Sequence, residues 1–150
     1  MKNTIETQGF KYGLITVAFL IAFFFLMRSV GLLHNFNLRV LNSLFLLSTV
    51  FLGIRSYKAR NFESFKYLEG VGIGFVISLT TGILFSAFVL MYISIDPSLM
   101  QAIKANEPQG VYMNEIRVTA LVMIEAIASG LLFTYGAMQF LKKSRFASAS

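Results

Sequence analysis

Residues 70–95 read GVGIGFVISLTTGILFSAFVLMYISI, a stretch without one charged side chain. A helix that rises ~1.5 Å per residue needs about 20 apolar residues to cross the ~30 Å hydrocarbon core of a bilayer. This stretch reaches that length by itself. We therefore predict a membrane-spanning helix at about residues 68–95.

Three further apolar stretches lie on either side of it. Residues 13–27 and 40–54 are uncharged, and residues 118–141 carry only Glu125. Because the first two stretches are shorter than a bilayer crossing, their helices are expected to extend through the flanking residues. The three spans are predicted at about residues 12–33, 37–57 and 115–141, which makes residues 1–150 a single four-helix transmembrane domain.

The composition excludes other classes of protein. Hydrophobic residues make up 56% of the chain and charged residues 13%, which is more apolar surface than a soluble domain of 150 residues can bury. The net charge of +6 is scattered between apolar runs, so no nucleic acid is expected as a partner. Cysteine is absent, and neither a metal site nor a cofactor is expected. The predicted fold class is an all-α integral membrane protein with an antiparallel four-helix bundle.

The distribution of Lys and Arg predicts the orientation. The N-terminal tail, the segment 55–69 and the C-terminal tail hold 2, 4 and 3 of the 13 basic residues, and all three lie on one side of a four-span chain. The positive-inside rule therefore places both termini in the cytoplasm. Anionic lipid headgroups are a possible partner of six residues there, although orientation alone is the favoured interpretation. These residues are Lys58, Arg60, Lys66, Lys142, Lys143 and Arg145.

The outer connection between the third and fourth spans begins with Asp96 and Pro97. Asp is a frequent helix cap, and Pro is well suited to the first helical position. Leu99, Met100 and Ile103 then follow at helical spacing. This pattern predicts a short amphipathic helix on the membrane surface.

Small residues recur at every fourth position of the third span, at Gly70, Gly74, Ser78, Gly82 and Ser86. In lipid, helices associate where small side chains let two backbones approach closely. The ridge is a candidate interface with a membrane-protein partner or a second copy of the chain. Packing against another span of the same chain is the favoured alternative.

Glu125 lies ~13 Å along the predicted fourth span by helical rise. A carboxylate at that depth costs several kcal/mol unless it is neutralised or paired. Glu125 is therefore expected to be protonated or to face a partner inside the bundle. The candidate partner is Arg28, and Arg39, Arg117 and His34 are expected at the rim of the same polar site. A structural ion pair is the favoured interpretation of these residues.

A sharper hypothesis makes Glu125 a proton or cation carrier. Hydroxyl groups would assist it, from Ser78, Thr80, Thr81, Ser129 and Thr134. No broken helix and no inverted repeat accompany them, which makes a transporter the weaker interpretation. The sequence also lacks the motifs of hydrolases and metalloproteases, so an enzyme is not expected.

Several short motifs mark the span ends: Lys11-Tyr12-Gly13-Leu14, Gly53-Ile54-Arg55-Ser56-Tyr57-Lys58, Phe65 and Ile95-Asp96-Pro97. With them, most of the chain resembles an uncharacterised family of small four-span bacterial membrane proteins. The resemblance implies the bacterial inner membrane and the same four-helix layout. It implies no catalytic residue.

The favoured function is therefore a non-enzymatic subunit or scaffold of a membrane assembly, because the small-residue ridge is present and a translocation path is not evident. The alternative is a small transporter or lipid-binding protein that uses the Arg28 and Glu125 site.

Overall fold

A computed structural model describes residues 4–32, 39–106 and 108–146, and these residues form helices and no strand. The helices are α1 (Ile5–Ser29), α2 (Arg39–Arg60), α3 (Tyr67–Ile95), α4 (Pro97–Asn106) and α5 (Glu115–Phe146), with a 3-10 turn at Gly110–Tyr112. Four of these helices, all except α4, are long and apolar enough to cross a membrane. The prediction of an all-helical protein with four candidate spans is confirmed.

The first helix differs from its predicted bounds at both ends. It begins at Ile5 because the Thr4 hydroxyl accepts a hydrogen bond from the Thr7 backbone N–H at 3.3 Å, which caps the helix. It ends at Ser29, two residues before Gly31, whose φ of 73° favours glycine and does not continue a helix. The helix thus gains its length on the N-terminal side. Arg28 consequently lies in its last turn.

Helix α3 is the most buried of the long helices and packs most extensively on α5. Along this seam Gly70 faces Met138, Gly74 faces Thr134 and Gly82 faces Ile127, so residue numbers rise on α3 as they fall on α5. The two helices therefore run in opposite directions. Their backbones approach closely because one of each facing pair is a glycine.

Helix α1 packs on the other side of α3 in the same direction, with Gly9 against Val76 and Gly13 against Thr80. Helix α2 lies against α1, α3 and α5 and supplies Val50 and Ile54, both fully buried. Because α1 packs on α2 and α3 rather than on α5, a groove remains between α1, α2, α3 and α5.

The short helix α4 lies where the sequence predicts it. Asp96 precedes it and accepts hydrogen bonds from the Ser98 backbone N–H at 3.1 Å and from the Ser98 hydroxyl at 2.5 Å. Met100 is buried against Val89, Ile93 and Val118, the last on α5. Helix α4 is thus packed against the ends of α3 and α5.

Candidate functional site

Arg28 is paired with Asp96, which follows the last residue of α3. Its Nη2 atom lies 3.2 Å from Asp96 Oδ2, and Nη1 donates to the Tyr92 hydroxyl. The Arg28 guanidinium also lies 5.2 Å from the Tyr92 ring centroid. The predicted pair of Arg28 with Glu125 is therefore wrong. The physical reason is that α1 ends beside the end of α3 and does not pack on α5.

Aromatic rings and polar groups surround this ion pair. Phe24 meets the Tyr92 ring edge-on at 4.7 Å between centroids, and Phe88 meets Phe24 at 5.5 Å. The hydroxyl and the backbone N–H of Ser98, and more weakly Arg28, hold the pKa of the Asp96 carboxyl below its ordinary value. The cluster fastens the end of α1 to the end of α3.

Arg117 is the one other predicted rim residue whose side chain the structure describes. Arg117 is exposed, and its guanidinium donates at 2.5 Å to the carbonyl of Tyr112. It therefore holds the 3-10 turn against the start of α5. Arg39 begins α2, but its side chain lies outside the described part of the chain, as does the whole of His34.

Glu125 lies in a half-open cleft of about 90 Å³ between α1, α2, α3 and α5. Its depth is ~15 Å from the start of α5 by helical rise. Four polar residues line the cleft with it, and we call the set the Glu125 cleft: Asn42, Ser43, Thr81, Glu125 and Ser129. The Glu125 side chain is exposed. The helices of the chain therefore do not enclose Glu125, because α1 leaves this side of α5 uncovered.

Two oxygen atoms of the cleft have no hydrogen-bond partner although both are buried: Oγ1 of Thr81 and Oδ1 of Asn42. Thr81 itself is 0% exposed. Every other buried serine or threonine hydroxyl in the described part of the chain has a hydrogen-bond partner. These residues are Thr16, Thr49, Ser78, Ser86 and Thr134. A buried polar group without a partner costs free energy, so the two oxygen atoms indicate a place for a bound group or water.

From the sequence, Thr81 was predicted only as one of several hydroxyl groups near Glu125, and Asn42 was not predicted at all. The signal was present, since Asn42 is the only side-chain amide in the uncharged stretch 40–54. An amide in an apolar span faces a partner or a polar cavity.

The small-residue ridge of α3 is buried along its whole length. Met138, Thr134, Gly130 and Ile127 of α5 cover it from Gly70 to Gly82. Packing within the chain, the favoured of the two interpretations, is therefore what the structure shows. The ridge leaves no surface for a second protein.

Lys58 is only 8% exposed, and its Nζ donates to the carbonyl oxygen of Leu141 at 2.8 Å. The proposed contact of Lys58 with lipid headgroups is therefore wrong, because the amino group is used to fasten α2 to α5. Arg60 and Lys66 are exposed. The side chains of Lys142, Lys143 and Arg145 lie outside the described residues.

Residues 11–143 match a family model described as "Protein of unknown function (DUF4199)". No curated protein and no solved structure matches the chain.

Proposed function

Because this chain belongs to the DUF4199 family, whose function is unknown, we propose its role from the geometry of the Glu125 cleft. The protein is a non-enzymatic, multi-pass protein of the bacterial inner membrane. Its four long helices form an antiparallel bundle, and the cleft between them binds a small polar ligand.

The single observation that carries this proposal is the pair of buried, unpartnered oxygen atoms on Thr81 and Asn42 beside the Glu125 carboxylate. Ionisable residues inside a membrane are costly and mark functional sites by default. A ligand in the cleft would supply the hydrogen bonds or coordination that both oxygen atoms lack. This favours ligand binding over the assembly subunit, because α5 already covers the ridge on which the subunit hypothesis depended.

An assembly subunit is the second candidate, and α5 supports it. This helix is the least buried of the four candidate spans, and its exposed side carries Gln139 as well as Glu125. Polar side chains directed at lipid favour a protein neighbour. Native mass determination after purification in mild detergent discriminates the two: a stoichiometric partner supports the subunit, and a monomer removes its support.

Ligand binding is tested by the thermal unfolding of the purified protein with a panel of probes. The panel contains NaCl, KCl, choline chloride, and nanodiscs with or without phosphatidylethanolamine. We expect at least one probe to raise the melting temperature of the wild type, because binding to the folded state alone stabilises it. The same probe is expected to have little effect on Glu125→Gln. If no probe distinguishes the two proteins, the cleft is not a ligand site.

The proposed orientation is tested with single cysteines, since the chain has no native Cys. Ser64 lies between α2 and α3 and Gln109 between α4 and α5, and both are exposed. With both termini in the cytoplasm, a membrane-impermeant maleimide should label Gln109→Cys in intact spheroplasts and Ser64→Cys only after lysis. The reverse pattern would place the termini outside.

A further inference from the structure

We infer that the connection between α4 and α5 anchors the bundle in the membrane surface, because the side chains of Val111, Tyr112 and Ile116 insert among the headgroups of the adjacent lipid leaflet. We call these three residues the apolar anchor. Its partner is a lipid surface, and the inference does not depend on a ligand in the Glu125 cleft.

The apolar anchor is among the most exposed apolar surface of the described chain. Val111 is 86% exposed, Tyr112 75% and Ile116 73%. Exposed apolar residues with a polar rim mark a site for another protein or for a membrane. The rim is present, since the neighbouring exposed residues are Gln109, Glu115 and Arg117.

The fold itself holds Val111 and Tyr112 outward. The Tyr112 carbonyl oxygen accepts a hydrogen bond from the Arg117 guanidinium at 2.5 Å. Gly110 is buried against the backbone of Lys104, which leaves no room there for a Cβ atom. The turn is thus fixed at both of its ends. Folding the two side chains back onto the bundle would break these contacts.

The apolar side of α4 faces the bundle and not the membrane surface. Leu99, Met100 and Ile103 of α4 pack in a cluster with residues of α3 and α5, and Met113 of the connection joins the same cluster. The apolar anchor stays outside this cluster. The membrane contact that the sequence predicts for α4 is therefore assigned to the turn that follows it.

The position and chemistry of the apolar anchor favour lipid over a protein partner. Ile116 lies in the first turn of α5, and Ile95, which is 74% exposed, ends α3 at the same end of the bundle. Both helices are candidate spans, so the anchor continues their exposed apolar surface. Tyr112 adds an apolar ring with a polar hydroxyl, a combination that is enriched at membrane–water interfaces.

The apolar anchor fixes the height of α5 in the bilayer. This helix is the least buried of the four candidate spans, so contacts within the bundle hold it least. Tyr112 is fastened to Arg117 in the first turn of α5. Insertion of Tyr112 therefore keeps the start of α5 at the headgroups, and Glu125 follows ~15 Å further along the helix.

The first test uses tryptophan fluorescence, since the chain has no native Trp. Val111→Trp is compared with Gln101→Trp on the exposed side of α4 in the full-length protein. Both positions are exposed, so neither substitution should disturb packing. In phosphatidylcholine nanodiscs with bromine on the upper acyl chain, we expect quenching of Val111→Trp to be several-fold stronger. Aqueous iodide should quench Gln101→Trp more strongly.

The second test uses single cysteines, since the chain also has no native Cys. Val111→Cys and the exposed Gln109→Cys are labelled with a membrane-impermeant maleimide in nanodiscs and in membranes of lysed cells, where both sides are accessible. We expect Val111→Cys to react several-fold more slowly in both, because the reactive thiolate is disfavoured in apolar surroundings. After unfolding in dodecyl sulfate, the two rates should be equal.

Two results overturn the inference. Equal quenching of Val111→Trp and Gln101→Trp by iodide, with no effect of bromine on either, would place the turn in water. Slow labelling of Val111→Cys in cell membranes but not in nanodiscs would show that a protein covers the turn. Neither result bears on the Glu125 cleft, whose test uses the melting temperature of another variant.

Discussion

Gly130→Ala is expected to destabilise the bundle strongly. A Cβ atom at this position would lie 2.5 Å from Ser78 Cβ and 3.3 Å from Ser78 Cα. No rotation of the Ser78 side chain relieves a contact with its own Cβ, so α3 and α5 must separate. Overpacking costs about 1–3 kcal/mol, and we expect the upper end of that range because the neighbouring glycine contacts of the seam loosen together. The measurements are folded yield in detergent and melting temperature.

Gly136→Ala is the control for this prediction, because it places the same substitution on the same helix. Its Cβ would meet nothing within 4 Å. It should leave folding intact, and a small gain is expected from the higher helix propensity of alanine. The double variant Ser78→Gly/Gly130→Ala should recover much of the lost stability, since it moves the side chain across the seam. A melting temperature of Gly130→Ala equal to that of the wild type would contradict the close contact of α3 and α5 at this position.

Lys58→Ala is expected to destabilise the protein by about 1–3 kcal/mol. The substitution removes a buried amino group and leaves the Leu141 carbonyl oxygen, 2.8 Å from Nζ, without this donor. It also leaves space between α2 and α5 where the aliphatic part of the side chain packed. Thermal unfolding in detergent measures the loss.

Arg60→Ala removes the same charge from the same helix at an exposed position. Any effect of Arg60→Ala on membrane orientation should therefore equal that of Lys58→Ala. Its effect on the melting temperature should be small. Its retention of anionic lipid during purification should fall, while that of folded Lys58→Ala should not. Equal losses of stability in the two variants would contradict the structural role assigned to Lys58.

The helices could be predicted from the sequence because the signal for them is local. Each candidate span is a run of apolar residues, and its existence requires no knowledge of its neighbours. The start of α1 at Ile5 was missed because the cap at Thr4 lies in a segment that also contains Glu6 and Lys11. Charge content alone therefore places the first span too late.

The candidate site was predicted only in part. Glu125 and Thr81 were identified because polar residues inside an apolar run are visible in the sequence. Asn42 was missed, and Arg28 was given the wrong partner. The depth of a residue along a span can be counted, whereas the residue that it faces on another helix depends on the rotation of both helices about their axes.

The sequence by itself determined that this protein is helical, that four of its helices can cross a membrane, and that a carboxylate lies within the fourth. Only the tertiary structure decided that Arg28 pairs with Asp96, that Lys58 is buried and that the α3 ridge is covered by α5. The physical reason is that lipid and protein interior are both apolar. The spans therefore carry almost no hydrophobic contrast between their two sides, and the pattern that shows which face of a soluble helix is buried is missing here.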